Sequence, residues 1–290
     1  MQKPIKILIM SVGKYADNHT VRLFKRMGGL ENCVVCLPDQ FKCNAESYIE
    51  KGVEVFLYDE KRYINDEFEY FGFRKRNCGG VGRQGIAEAV ERYGDDYLCF
   101  QVDDDYRSFD ALNTETHRRH GVKSWEMFQK MVYAFDEFYN LTGCELAAKT
   151  GATPMKQTKF TFWANRKIFN NFIMRKGNTM NFSGFAALCS DDQRYNLYRN
   201  LLQITPMLST SYFVVMFAQN QGDRKDGNAV LYNSDCSWKK SFALKMMMPW
   251  CVAQYIKKEE NRALFREHIE VSKLYPPILL EKDGKIVGKV

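Results

Sequence analysis

Three consecutive acids, Asp103-Asp104-Asp105, directly follow the apolar run Tyr97-Leu98-Cys99-Phe100-Gln101-Val102. Three carboxylates side by side repel one another unless a positive charge sits among them. A hard divalent ion with oxygen ligands is the natural partner. Alternate residues of an extended segment face the same way, so Asp103 and Asp105 are the expected pair of ligands, with Asp104 left for another contact. Acidic triplets also occur as ordinary loops that cap a following helix. The placement after an apolar strand favours a site, because ligands of open α/β sheets bind outside the carboxyl ends of the strands.

Further along, Arg224 and Lys225 lie in a loop framed by Gly222 and Gly227, and Tyr232, Trp238, Lys239 and Lys240 come soon after. Aromatic rings beside cations are the combination that binds exposed bases, so these six residues form a candidate nucleic-acid contact. The charge distribution agrees. The net charge is +7, yet residues 1–150 hold 21 basic and 24 acidic residues, against 21 and 11 in residues 151–290. A basic second half attracts a phosphate backbone. His117 and His120, beside Arg118 and Arg119, read as a solvated basic loop. Nine cysteines in no framework pattern suit free thiols in a reducing, cytoplasmic setting. Cys33 and Cys36 have a CxxC spacing, but positions i and i+3 of a strand point to opposite faces, so a shared metal is not expected.

The elements that must position these residues alternate strand and helix. Lys6–Met10, Cys33–Leu37, Val53–Tyr58 and Tyr97–Val102 read as strands. Between them, helices are expected after Asp17 or Asn18, after Asn44, and from Gly82 to Tyr93. This alternation predicts a mainly parallel sheet covered by helices. In the second half, Ser124 caps a long amphipathic helix; Glu145–Lys149, Phe160–Ala164 and Tyr212–Phe217 read as strands. Segments Asp191–Leu202, Ser237–Met248 and Lys257–Ser272 read as helices, and Ile278–Val287 as a hairpin around Asp283-Gly284. With 45% hydrophobic residues the 290-residue chain can fill a core unaided. The expectation is one domain, 1–290, with halves 1–108 and 109–290. No apolar run reaches the roughly 18 residues of a membrane span, and Met1–Met10 reads as a first strand, not a signal peptide.

The run Tyr97–Tyr106 with its Asp103-Asp104-Asp105 end resembles the DxD strand end of GT-A glycosyltransferases. Gly79-Gly80-Val81-Gly82-Arg83-Gln84-Gly85 is similar to the stretch where that family places an Arg-Asn pair before a helix, with Gln84 standing for the Asn. Ser11, Lys14 and Thr20 resemble its donor-binding loop, with Lys14 where an Arg is common. Ser190-Asp191-Asp192-Gln193 resembles its acceptor-side motif. The resemblance covers about residues 5–200 and implies a GT-A-type, Rossmann-like three-layer sandwich around a mainly parallel sheet. The implied activity is transfer of a sugar from a nucleoside diphosphate, a uridine diphosphate above all, to a hydroxyl. Asp103 and Asp105 would hold the metal, and Ser11, Lys14, Arg83 and Asp104 the donor. Asp191 or Asp192 would act on the acceptor, as base in an inverting reaction or as orienting group in a retaining one. A third metal ligand is not assigned, with His268 and Asp223 both weak candidates.

Within that class the spacing is most similar to the TET-associated type, through Asp191-Asp192-Gln193 and Leu231-Tyr232-Asn233 followed by Trp238-Lys239-Lys240. That likeness implies a hydroxymethylated pyrimidine of double-stranded phage DNA as acceptor and the host cytoplasm as location. Two alternatives stand beside it: a GT-A enzyme acting on a glycan, lipid or protein, and a non-catalytic basic nucleic-acid-binding protein. The latter leaves the acidic triplet unexplained. Nucleotidyltransfer is disfavoured because Met10-Ser11-Val12-Gly13-Lys14 lacks the Gly-rich, Arg-containing loop that such enzymes carry after the first strand, and two-metal nuclease chemistry by the lack of a second carboxylate-rich strand end.

Overall fold

The structure is a computed structural model that describes residues 2–11, 18–63, 79–113, 115–116, 118–150, 162–164, 171–177, 207–217, 279–282 and 285–289. In chain order these hold β1 (Ile5–Met10), α1 (His19–Met27), β2 (Cys33–Pro38), α2 (Ala45–Ile49), β3 (Glu54–Tyr58), α3 (Gly79–Tyr93) and β4 (Leu98–Asp103). Then come β5 (Tyr106–Leu112), β6 (Arg119–Gly121), α4 (Trp125–Thr142), β7 (Glu145–Thr150), β8 (Phe162–Ala164), β9 (Ile173–Met174), β10 (Met207–Phe217), β11 (Leu279–Lys282) and β12 (Lys285–Lys289). The three helices expected at Asp191–Leu202, Ser237–Met248 and Lys257–Ser272 lie outside the described residues.

The first five-stranded sheet has the order β3-β2-β1-β4-β9, with β9 antiparallel to β4 and the other pairs parallel. The chain is therefore α/β with a mainly parallel sheet flanked by helices. Parallel strands buried on both faces read as continuous apolar runs, and β2, Cys33-Val34-Val35-Cys36-Leu37-Pro38, is buried throughout. Its two cysteines are free and buried, and Cys33 belongs to the main core cluster. Burial pushes both thiols up, with Glu31 adding to the effect at Cys33 and Cys99 to that at Cys36. Cys99 is likewise pushed up by burial, to about 12. They are inert core residues.

Helix ends obey the sequence signals at Asn18, Ser124 and Gly28. Asn18 caps α1 by accepting from the Val21 N–H at 2.7 Å, and its amide donates to the Tyr48 hydroxyl at 3.0 Å. Ser124 caps α4 through the Met127 N–H at 3.3 Å. Gly28, at φ +77°, closes α1 in the left-handed conformation. Asn44 does not cap α2: it is itself helical, at the end of a 3-10 turn Asp39–Asn44 that runs into the helix, and its side chain makes no capping bond.

Helix α3 begins at Gly79, a turn before the expected Gly82. Two of its glycines serve packing. A Cβ on Gly82 would lie 2.4 Å from the Met10 sulfur, and one on Gly85 would lie 2.3 Å from the Tyr58 ring. Only bare backbone lets this helix sit so close to β1 and β3, and that contact outweighs glycine's poor helix propensity.

The chain leaves the first sheet at β4. Asp104 and Asp105 form a turn, and β5 then joins a second sheet of order β6-β5-β10-β7, with β8 also paired to β10. Strands β5, β6 and β9 have no counterpart among the sequence expectations. The hairpin expected near the end of the chain is present as β11 paired antiparallel with β12. Phe128 of α4 locks the two larger sheets together, with ring centroids 5.1 Å from Phe24, 5.4 Å from Phe100 and 5.0 Å from Phe109. One core cluster thus runs from Ile5 and Phe100 to Leu146 and Val215. Among the described residues no helix is long and apolar enough to cross a membrane.

Candidate functional site

Strand β1 has β2 on one side and β4 on the other, so the strand order reverses between β1 and β4. In doubly wound sheets ligands bind at such a reversal, beyond the carboxyl ends of the strands. Met10 pairs with Asp103 at that edge, so Ser11 and the acidic triplet emerge side by side.

The site is built on hydrogen bonds between the β4–β5 turn and the start of α1. The Ser11 hydroxyl donates to Asp104 Oδ2 at 3.1 Å, while its N–H extends the β1–β2 pairing to the Cys36 carbonyl. The Thr20 hydroxyl donates to the Asp103 carbonyl at 2.6 Å and accepts from the Tyr106 N–H at 2.9 Å. The Thr20 N–H, one of the first-turn donors without a partner inside the helix, reaches the Asp104 carbonyl at 3.3 Å. Thr20 is fully buried. Replacing it by the isosteric valine strands a carbonyl and an N–H, so Thr20→Val is expected to lower the unfolding free energy by about 2 kcal/mol. Urea denaturation of both proteins measures this; an unchanged midpoint would show that the turn holds without the hydroxyl.

Arg83, in the second turn of α3, aims its guanidinium at the same edge. Its Nη2 lies 2.8 Å from Asp103 Oδ1, and the side chain is only 2% exposed against 24% for Asp103. Asp104 and Asp105 are buried as well. The Tyr106 hydroxyl donates to the Asn171 side-chain oxygen Oδ1, and the Asn171 Nδ2 donates to the Ala148 backbone carbonyl at 3.4 Å. Burial pushes the Tyr106 phenol well above its ordinary range; the negative charges of Asp103 and Asp105 add to this and Arg83 opposes it. Gln101, on the Asp103 face of β4, is fully buried, and its side-chain amide has no hydrogen-bond partner among the described residues.

Placement changes the reading of individual residues. Asp103 ends β4 and the two later acids lie in the turn, so strand alternation does not extend to Asp105. Arg83 is engaged with Asp103 inside the protein, and the Ser11 side chain is buried against Asp104, so both hold the acids in place. Thr20 is the contact that residue types alone did not single out as structural; a threonine in the first turn of a helix carries no signal of a partner some 80 residues away. Asn171 was missed for the same reason. His120 is exposed on β6. Lys14, Asp191, Asp192, Arg224, Lys225, Tyr232, Trp238, Lys239 and Lys240 lie outside the described residues, as do His117, Asp223 and His268.

A divalent ion fits this donor set by charge. Arg83 pairs with Asp103, and Asp104 and Asp105 beside it are buried, so a second positive charge near the three acids would offset their mutual repulsion. Among the described residues no group of three or more His, Cys, Asp or Glu side chains is arranged to hold a metal. The three acids thus form no ready-made three-ligand cage, and a cation held by fewer of them would have to complete its shell with ligand oxygens or water. Comparison with protein-family models and with curated proteins finds no match.

Proposed function

We propose that the chain is a metal-dependent glycosyltransferase of GT-A type that moves a sugar from a nucleoside diphosphate to the hydroxyl of a hydroxymethylated pyrimidine in double-stranded DNA. The observation that carries this reading is the carboxylate cluster at the carboxyl edge of β4, beside the end of β1, where the strand order reverses and where Arg83 meets Asp103. The resemblance of Asp103-Asp104-Asp105 to a DxD motif supports the donor class, and the aromatic, basic stretch from Arg224 to Lys240 supports the acceptor.

Asp103 and Asp105 would hold Mn2+ or Mg2+, which supplies positive charge to the diphosphate as it leaves. Arg83 orients Asp103, and Ser11 fixes Asp104 toward the donor side. Lys14 adds charge for the nucleotide, and Asp191 or Asp192 orients or deprotonates the acceptor hydroxyl.

The test incubates the protein and Mn2+ with a set of nucleoside diphosphate sugars and tracks release of the nucleoside diphosphate. One donor is expected to be turned over, faster with hydroxymethylated DNA than with unmodified DNA. Stimulation by glycans instead moves the acceptor assignment to the carbohydrate class. Lack of turnover with every donor and acceptor removes the enzyme reading.

A further inference from the structure

Helix α1 buries Val21, Leu23, Phe24 and Met27 and turns the opposite face outward. That outer face carries Arg22, Lys25 and Arg26, all exposed, and the nine-residue helix contains no acid. Residues three and four apart share one side of a helix, so these cations form one row. The Arg26 Nη2 donates to the Arg107 carbonyl at 3.2 Å, which brings exposed Arg107 of β5 to the end of the row. None of the four is ion-paired among the described residues; Arg22 only contacts His19, at 3.2 Å.

We infer that this row, Arg22, Lys25, Arg26 and Arg107, docks the phosphate backbone of the duplex acceptor. The inference rests on the DNA-acceptor proposal and adds to it a surface. Favourable interaction with the helix dipole accounts for Lys25 and Arg26 in the last turn. It accounts for neither Arg22 nor Arg107. Four cations spread along a helix and a strand do not converge on one small anion; they match a linear polyanion. A membrane surface is disfavoured, because the exposed large apolar side chains among the described residues, Ile49, Leu57, Met127 and Leu141, are all on other elements. The row is also held against the acids, since Thr20 of the same helix bonds Asp103 and Tyr106. DNA seated on it would thus approach the site from a fixed side.

The test measures binding of a short fluorescein-labelled duplex by anisotropy across a salt series, for the wild type and two triple variants. Arg22→Gln/Lys25→Gln/Arg26→Gln removes the row. Lys51→Gln/Lys61→Gln/Arg62→Gln removes the same charge from the region around β3. Each phosphate contact adds about 0.9 to the slope of log affinity against log salt, so the row variant is expected to lose ~2.7 of that slope. The control is expected to keep it. Unaltered helix content by circular dichroism confirms that α1 still forms. Equal loss in both variants, or none in the row variant while the wild type binds, overturns the surface but leaves the acceptor proposal standing. A wild type that does not bind the duplex at low salt overturns both. Dependence on the row for anionic vesicles but not for the duplex assigns the face to a membrane and overturns the inference.

Discussion

Asp105→Asn is expected to lower nucleoside diphosphate release by about a thousandfold while the protein stays folded. A carboxylate that binds a catalytic cation contributes several kcal/mol of transition-state stabilisation, and a thousandfold loss is about 4 kcal/mol. Asparagine keeps the shape of the side chain and one oxygen but loses the charge, so its hold on a hard cation collapses. The fold is expected to survive, because the turn is secured elsewhere: Thr20 bonds the carbonyls of Asp103 and Asp104 and the N–H of Tyr106. Removing one of three crowded negative charges also relieves repulsion within the turn. A second readout separates metal binding from every other role. Mn2+ should raise the melting temperature of the wild type, since a ligand that binds only the native state stabilises it, and should not raise that of the variant. Full turnover by Asp105→Asn, with its Mn2+ stabilisation intact, sinks the assignment.

Arg83→Met is expected to cost about 3 kcal/mol of stability, at the low end of the range for removing one partner of a buried ion pair. The low end applies because Asp103, at 24% exposure, regains some water when its partner goes. Methionine fills most of the arginine stem, so the loss reports charge more than volume. The variant leaves the three acids without that guanidinium. Mn2+ should therefore stabilise it by more than it stabilises the wild type, in urea denaturation run with the metal and with a chelator. An equal metal effect in the two proteins would mean that Arg83 and the ion do not share the same carboxylates.

Much of this fold is legible in the order of residues. Four apolar runs separated by Asn-capped or glycine-stopped helices place β1 to β4, and the observed bounds differ from the expected ones by a residue or so. Local signals of this kind act over a few residues: a side-chain oxygen three residues from an N–H, as at Asn18, or a glycine at positive φ, as at Gly28. Capping failed at Asn44 because a preceding 3-10 turn had already made it helical. The glycine-rich head of α3 misled for a related reason. Glycine is a poor helix former, yet the strands beneath require the lack of a side chain at Gly82 and Gly85, so tertiary contact and not local propensity holds this end of the helix.

The chain also specified the chemistry on offer at this edge: three adjacent carboxylates behind a buried strand, with an arginine in a glycine-rich segment upstream. Charge and spacing are properties of the chain, and they hold in any fold. What three-dimensional packing alone decided is who meets whom. Asp103 could have faced solvent; strand order puts it beside Met10 and under Arg83. Strand alternation would have aligned Asp103 with Asp105, but β5 belongs to a different sheet, so the backbone turns at Asp104. Thr20, Tyr106 and Asn171 joined the cluster across separations of 86 and 65 residues. Pairings at that distance are set by burial of the whole core, and no window of sequence contains both partners.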